Sequence, residues 1–180
     1  MKRDEIIEIA AELFHQNGFH NTGIQMILDR ANIPKGSFYH YFKSKENLGL
    51  AVIQMHAEVI ETVWKSYPDT ILGMKEFFNH FLGGFCSAEF RYGCAVGNLV
   101  IELADDKVVF REKLLETLEW LECEMAKVIS TELKMEQKQA KSLATFVLAS
   151  FEGIILKTKV SKNSVAIDEF NRVVFEVILK

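Results

Sequence analysis

One short stretch of the sequence, Lys35–Phe42, combines side chains that can bind nucleic acid. If the stretch is a helix, Phe38 and Phe42 lie four residues apart on one face and anchor it to a core. The other side chains then point outward, where their polar groups can hydrogen-bond to bases and phosphates. The outward residues, which we predict to bind DNA, are Lys35, Gly36, Ser37, Tyr39, His40 and Tyr41. Gly36 lets the backbone approach a ligand closely.

The charges around this stretch favour the same interpretation. Four cations, Arg30, Lys35, Lys43 and Lys45, follow one another with no acid between them. The whole chain has a formal net charge of −4, so a local positive strip is typical of a nucleic-acid contact. The alternative is an ordinary helical hairpin with a solvated basic turn, because helix-turn-helix patterns are short and arise by chance.

Two short helices and a turn would position this stretch. Ile24–Ala31 repeats apolar residues at helical spacing, and Thr22 is placed to cap its start. Asn32-Ile33-Pro34 then interrupts the helix, because proline disfavours helical geometry in the residue before it. Pro34 suits the start of the second helix, where its missing N–H is no loss.

A further helix on each side would brace the pair. The first spans about residues 2–17, and Gly18 ends it. Ser44 can cap the other, which spans about residues 45–66 and would link two parts of the chain.

These residues resemble the DNA-binding domain of the tetracycline-repressor (TetR) family. The resemblance covers roughly residues 5–55 and rests on Phe14, Gly18-Phe19, Thr22-Gly23-Ile24, Ile27, Ala31, Ile33–Phe42, Lys43-Ser44-Lys45-Glu46 and Leu48. It implies an all-helical homodimer whose N-terminal three-helix domains bind a palindromic operator. It also implies a larger C-terminal domain that binds a small-molecule inducer. In that family the positions of Thr22 and Lys45 contact phosphates, and those of Lys35, Gly36, Ser37, Tyr39, His40 and Tyr41 face the major groove or its backbone.

Composition and helical patterns extend this prediction to the whole chain. The 180 residues are 49% hydrophobic, which allows a sizeable core. We predict an all-α fold of about nine helices, with a helix-turn-helix domain over residues 1–47 and a ligand-binding and dimerisation domain over residues 48–180. Charges interrupt the N-terminus, no apolar run approaches the ~20 residues of a membrane helix, and the three cysteines lack framework spacing. We therefore expect a cytoplasmic protein that does not contact a membrane.

Apolar stripes on the last two predicted helices indicate a subunit interface. The predicted interface residues are Leu143, Val147, Phe151, Ile154, Phe170, Val174 and Val177. Small residues beside the stripes allow close helix approach, which suits a four-helix contact between two subunits. Alternatively, both stripes pack within their own domain. Periodicity does not separate the two, and the family resemblance favours the interface.

The middle of the chain is rich in aromatic residues that could line an apolar ligand pocket. The candidates are Trp64, Phe77, Phe81, Phe85, Tyr92, Cys94, Asn98, Trp120 and Phe151. The alternative for each aromatic residue is an ordinary place in the core. No nucleophile–base pair and no metal-ligand spacing is visible, so we expect neither an enzyme nor a cofactor or metal.

The segment Gly93–Leu99, followed by Glu102-Leu103-Ala104, resembles the C-terminal domain of the family branch that includes N-ethylmaleimide-responsive repressors. In an electrophile sensor Cys94 would have to be a thiolate, which a helix start favours. The alternative is that Cys94 is a small structural residue.

These patterns together predict a DNA-binding transcriptional repressor. It would bind a palindromic operator as a homodimer and be released by a small-molecule inducer, with electrophiles among the candidates. The alternative is a small-molecule binding module of the same fold with a degenerate DNA-binding role. We expect operator affinity to fall steeply with salt, because phosphate contacts release counterions.

Overall fold

The computed structural model describes residues 3–180, and within this range the regular structure is helical, without strands. The helices are α1 (Arg3–Asn17), α2 (Ile24–Ala31), α3 (Lys35–Tyr41), α4 (Lys45–Lys65), α5 (Ile71–Ser87), α6 (Ala95–Leu103), α7 (Val108–Leu133), α8 (Gln137–Ser161) and α9 (Val165–Val173). A π-helical turn, Val174–Ile178, follows α9. The all-α prediction is confirmed, and the predicted start of the first helix at Lys2 lies outside the described residues.

Local signals set several helix ends, and those at Gly18 and Ser44 are as predicted. Gly18 ends α1 with φ of +87°, and its N–H donates to the Phe14 carbonyl at 2.8 Å. Ser44 caps α4, since its Oγ accepts from the Asn47 N–H at 3.2 Å. Thr70 caps α5 in the same way, accepting from the Gly73 N–H at 3.0 Å.

One predicted cap is wrong. Thr22 does not cap α2, because its Oγ1 donates to the carbonyls of Leu13 at 3.2 Å and Gly18 at 2.8 Å. At the start of α9, the Ser164 side chain bonds to Asp168 and does not cap the helix. The neighbouring Asn163 supplies that cap, and its Oδ1 accepts from the Val165 N–H at 3.2 Å.

The chain forms two compact units that differ from the predicted domains. The first unit runs through Val59 and adds Ala95–Leu115, and the second comprises Ile60–Cys94 and Glu116–Lys180. Both α4 and α7 continue from one unit into the other. The functional boundary between residues 47 and 48 therefore stays a prediction.

The core of the first unit joins α1 to the start of α7. The Phe19 ring lies 4.9 Å from that of Phe14 and 5.7 Å from that of Phe110, measured between centroids. Gly49 of α4 lies against the same rings, and a Cβ there would come within 2.7 Å of Phe19. The α1–α2 corner is therefore tightly packed, with no room for a larger residue at position 49.

The core of the second unit is built around Phe78 of α5. Its fully buried ring lies 4.8 Å from Phe151, 5.6 Å from Phe170 and 6.3 Å from Phe175. Aromatic rings bury large areas and prefer such tilted or edge contacts. Helices α5, α8 and α9 thus share one aromatic cluster.

Candidate nucleic-acid interface

Helix α3 has two faces, as the sequence predicted. Phe38 and Phe42 are buried, with ring centroids 5.7 Å apart. The opposite side exposes 48% of Tyr39 and 39% of Tyr41. Lys35, Gly36 and His40 are also exposed, and Ser37 is half-buried. The structure therefore brings the six predicted α3 residues to one surface.

The turn before α3 fixes the direction of that surface. Asn32 ends α2 in the left-handed conformation at φ of 52°, and the Ile33 N–H donates to the Leu28 carbonyl at 3.1 Å. Pro34 occupies the N-cap position of α3 with φ of −65°. Its carbonyl accepts from the Ser37 N–H at 2.9 Å, so the turn and the first turn of α3 form one hydrogen-bonded element.

The exposed rings of α3 are supported by neighbouring rings. Tyr39 lies edge-on to Phe38 at 5.3 Å, and His40 lies edge-on to Tyr41 at 5.0 Å. A groove of about 460 Å³ runs beside them, lined by Ile6, Ile33, Gly36, Ser37, His40 and Tyr41. No atom lies within 4 Å of the place where a Gly36 Cβ would be. A ligand backbone can therefore approach α3 at Gly36.

The predicted positive strip is reduced by contacts within the protein. Arg30 forms an ion pair with Glu12 at 3.4 Å. Lys45 donates to the His20 carbonyl at 3.4 Å and lies 4.4 Å from the centre of the Phe19 ring. Lys35 and Lys43 remain exposed. Half of the cations that the sequence grouped together are thus engaged by other residues.

Of the two residues expected to contact phosphates, Thr22 points inward and Lys45 is half-buried. The side chain of Thr22 is 0% exposed, and its hydroxyl donates to the carbonyls that end α1. Burial lowers the pKa of the half-buried Lys45, and the charge of Glu102 acts in the opposite direction. The phosphate contacts stay predictions: the Thr22 hydroxyl is buried, whereas the Lys45 side chain keeps part of its surface exposed.

A polar cluster at the end of α6 and in the residues that follow it was not predicted from the sequence. Glu102 Oε2 accepts from the His20 N–H at 3.1 Å, and His20 Nε2 lies 3.3 Å from Asp106 Oδ2. Lys107 forms an ion pair with Glu46 at the start of α4. These pairs are separated by 61 to 86 positions along the chain, so no local pattern could have identified them.

The predicted ligand-pocket residues are divided between the two units. Trp64, Phe77, Phe85 and Phe151 are buried in the core of the second unit, with Phe81, Cys94 and Trp120 packed around it. Tyr92 lies half-buried in the loop before α6, and Asn98 belongs to the first unit. Trp64 and Phe77 contact each other at 5.2 Å, as do Phe77 and Phe81. All three rings pack in or against the core, and their role in a ligand pocket stays a prediction.

Cys94 lies directly before α6 and is half-buried. Its thiol is hydrogen-bonded to Glu152 of α8. Burial raises the pKa of that carboxyl, and the bond from Cys94 acts in the opposite direction. Reactive thiols usually have cationic neighbours, whereas the partner of Cys94 is an acid.

The predicted interface stripes lie partly inside the second unit. Val147, Phe151, Phe170 and Val174 are buried there, so the alternative of packing within one domain holds for Val147 and Phe151. Leu143 is half-buried against the same core. Phe170, Val174 and Ile154 line a surface groove, and Val177 is 63% exposed.

That groove lies between α8 and α9 and measures about 640 Å³. We call it the α8–α9 groove, lined by Phe146, Ser150, Ile154, Lys157, Ser161, Asn163, Val165, Ala166, Glu169, Phe170, Val173 and Val174. Phe146 is 53% exposed there. The predicted interface does not include Phe146 or Val165, because the prediction followed the most apolar stripe, which packs largely in the core.

Within residues 3–180, no helix combines the length and apolarity that a membrane span requires. The described residues also contain no group of three or more His, Cys, Asp or Glu side chains that could hold a metal ion.

The fold and the exposed face of α3 define an all-α protein with an N-terminal helix-turn-helix. Residues 6–52 match the sequence family of bacterial regulatory proteins of the TetR type. Residues 70–173 match the family of C-terminal domains from LmrA/YxaF-like transcriptional regulators. The chain belongs to the TetR family and is a DNA-binding transcriptional regulator, not an enzyme. The predicted family is confirmed.

Known proteins resemble the chain over most of its length. The transcriptional repressor DhaR of Mycobacterium sp. (strain GP1) is 29% identical over 182 residues, covering 98% of this chain and 92% of DhaR. The repressor NemR of Escherichia coli (strain K12) is 32% identical over 111 residues, 57% of this chain and 54% of NemR, which supports the predicted branch. A TetR regulatory protein from Rhodobacter sphaeroides has a similar crystal structure, with a TM-score of 0.86, 26% identity and 96% coverage of both chains.

Proposed function

We propose that this regulator is a dimeric repressor that inserts α3 into the major groove of a palindromic operator and is released by a small-molecule inducer. The observation that carries the proposal is the two-faced α3. Phe38 and Phe42 anchor it, while Lys35, Tyr39 and His40 are exposed on its other side. Exposed aromatic and basic side chains contribute nothing to the core, but their donors and acceptors suit base edges and phosphates.

The second copy of the chain would bind at the α8–α9 groove. Phe146 and Val165 are exposed apolar side chains that line this groove, and Val177 is exposed three positions after Val174, which also lines it. Adjoining exposed apolar residues mark protein contacts, and a two-fold axis through this surface would pair each groove with its copy. Two α3 helices could then enter successive major grooves about 34–36 Å apart.

We propose that the inducer shifts the equilibrium between DNA-competent and DNA-incompetent arrangements of the dimer. A ligand that binds one arrangement of the dimer more tightly would move the dimer away from the DNA-competent arrangement. DhaR and NemR are both named transcriptional repressors, which supports the proposal that this chain also represses transcription. The hydrogen bond between Cys94 and the Glu152 carboxyl supports a structural role for the thiol, because reactive thiols usually have cationic neighbours. We therefore propose an inducer that binds without covalent attachment to Cys94.

The operator proposal is tested with the full chain and duplex DNA. The wild-type chain selects duplexes from a random library, and the Kd for the selected duplex is then measured by fluorescence anisotropy. Tyr39→Ala should abolish selective binding while the protein stays folded, because Tyr39 contributes no core contact beyond the edge of Phe38. A selected duplex without two-fold symmetry, or an unchanged Kd for Tyr39→Ala, would contradict the proposal.

A further inference from the structure

The α8–α9 groove contains two charged side chains of opposite sign, Lys157 and Glu169, among otherwise uncharged lining residues. Lys157 lies one turn before the end of α8, and Glu169 lies in the second turn of α9. Since only residues 162–164 join these two helices, which pack against each other, they run antiparallel. The two charges therefore lie toward the same end of the groove, and both side chains are exposed.

The lysines near the end of α8 differ in whether their own unit supplies a partner. Lys159 donates to the Tyr92 carbonyl at 3.5 Å, and Lys162 donates to the Phe90 carbonyl at 2.9 Å. Within residues 3–180, the ammonium group of Lys157 forms no hydrogen bond and no ion pair. In the isolated chain, the charge of Lys157 is therefore compensated by solvent alone.

The Glu169 carboxylate uses one oxygen for a contact within its own helix. Its Oε2 accepts from the Arg172 guanidinium group at 2.7 Å, and 59% of the Glu169 side chain is exposed. A carboxylate has two oxygens and can accept several hydrogen bonds. Glu169 can therefore bind a second cation while it keeps its contact with Arg172.

A second copy of the chain that covered this groove would place both charges in a largely apolar contact. A buried charge without a partner is costly, so each of the two needs an opposite charge nearby. A two-fold axis makes every contact reciprocal between the two copies. A pair that joins Lys157 to Glu169 across the axis would therefore form twice and would leave neither charge unpaired.

We propose that Lys157 forms an ion pair with Glu169 of the partner subunit, twice per dimer, and that these pairs select a second copy of this chain as the partner. This inference rests on the proposed assembly at the α8–α9 groove and adds what decides partner choice. The apolar lining would accept other apolar surfaces of similar shape. A chain with a reversed charge at either position would instead bring like charges together.

The first test reverses the two charges in the full chain, one at a time and together. Lys157→Glu alone and Glu169→Lys alone each create two contacts between like charges, so the dimer Kd should rise at least about tenfold. The double variant restores opposite charges, and its dimer Kd should return to the wild-type value. Sedimentation velocity over a dilution series measures these constants. Lys141→Glu, which reverses an exposed charge of α8 outside the groove, is the matched control and should dimerise like the wild type.

The second test mixes the chains and measures partner choice directly. Lys157→Glu and Glu169→Lys should bind each other more tightly than either binds itself, because both ion pairs of the mixed dimer then join opposite charges. The double variant should form far fewer mixed dimers with the wild type than random pairing gives, because that combination joins like charges. Native mass spectrometry with one chain isotope-labelled counts the mixed dimers.

The ion pairs and the assembly at the groove can fail separately. Three results would overturn the ion pairs in a wild type that dimerises: single variants that dimerise equally well, single variants that form no mixed dimer, or a double variant that exchanges freely with the wild type. A monomeric wild type, or a dimeric Phe146→Glu protein, would instead overturn the proposed assembly at the groove, and the ion pairs with it.

Discussion

The rings of Phe38 and Phe42 lie 5.7 Å apart on the buried face of α3, one helical turn from each other. Between them, Tyr39 and Tyr41 point to solvent. The anchoring residues and the residues proposed to contact DNA thus occupy neighbouring positions in α3 and its C-cap.

Substitution of the anchor should reduce stability, whereas substitution of the binding face should not. Phe38→Ala removes a fully buried ring and should lower the free energy of unfolding by about 3–5 kcal/mol. Tyr39→Ala should change it by no more than about 0.5 kcal/mol. Urea denaturation of both variants measures the difference. Equal stabilities would show that Phe38 does not anchor α3.

Charge on the exposed face should govern the salt dependence of binding. Lys35→Ala should weaken operator binding and reduce the salt slope by about one if Lys35 contacts a phosphate. A base contact would instead relax specificity at one position of the operator. Lys138→Ala, which removes an exposed lysine at the start of α8, is the control and should bind like the wild type. Equal salt slopes and equal sequence preferences for both variants would exclude Lys35 from the DNA contact.

The α8–α9 groove makes a prediction about assembly. Phe146→Glu places a charge in the proposed apolar contact and should convert the dimer to a monomer, because an unpaired buried charge is costly. Leu72→Glu changes an exposed leucine of α5 in the same unit and should leave the dimer intact. Sedimentation velocity distinguishes the two states. A dimeric Phe146→Glu protein would place the subunit contact elsewhere.

His56 of α4 should make the protein sensitive to acid. Burial lowers its pKa to about 4, with His15 acting in the same direction. Below pH 6.5 the unfolded chain therefore binds a proton that the folded chain does not. The contribution of His56 to stability is fully present above pH 6.5 and is lost as the pH falls toward 4, by roughly 3 kcal/mol at most. Thermal melts of wild type and His56→Phe between pH 7 and about 4 should show a smaller decline in the variant.

Cys94 provides a test of electrophile sensing. Cys94→Ser replaces the thiol with a hydroxyl that can also donate to Glu152, so it should retain wild-type stability and operator affinity. Treatment with N-ethylmaleimide should then change the operator affinity of the two proteins alike. A reagent effect confined to the wild type would instead identify Cys94 as the sensor.

The sequence by itself determined the helices and the outward face of α3. Both follow from the spacing of apolar residues along a few turns, as with Phe38 and Phe42, and this spacing is a local property. The same local reasoning assigned the family, because the motif from Thr22 to Lys45 is contiguous.

Only the tertiary structure decided which groups these residues contact. Thr22 points inward because backbone carbonyls at the end of α1 accept from its hydroxyl, and Lys45 also contacts the His20 carbonyl, which no short-range pattern reveals. Glu102 reaches the α1–α2 turn across 82 positions. Most of the predicted interface stripe packs in the core of the second unit. Periodicity identifies an apolar face, but it does not show whether the same unit or a second copy of the chain covers that face. Phe146 and Val165, beside that stripe, were left at the surface by the packing of α8 against α5 and α9.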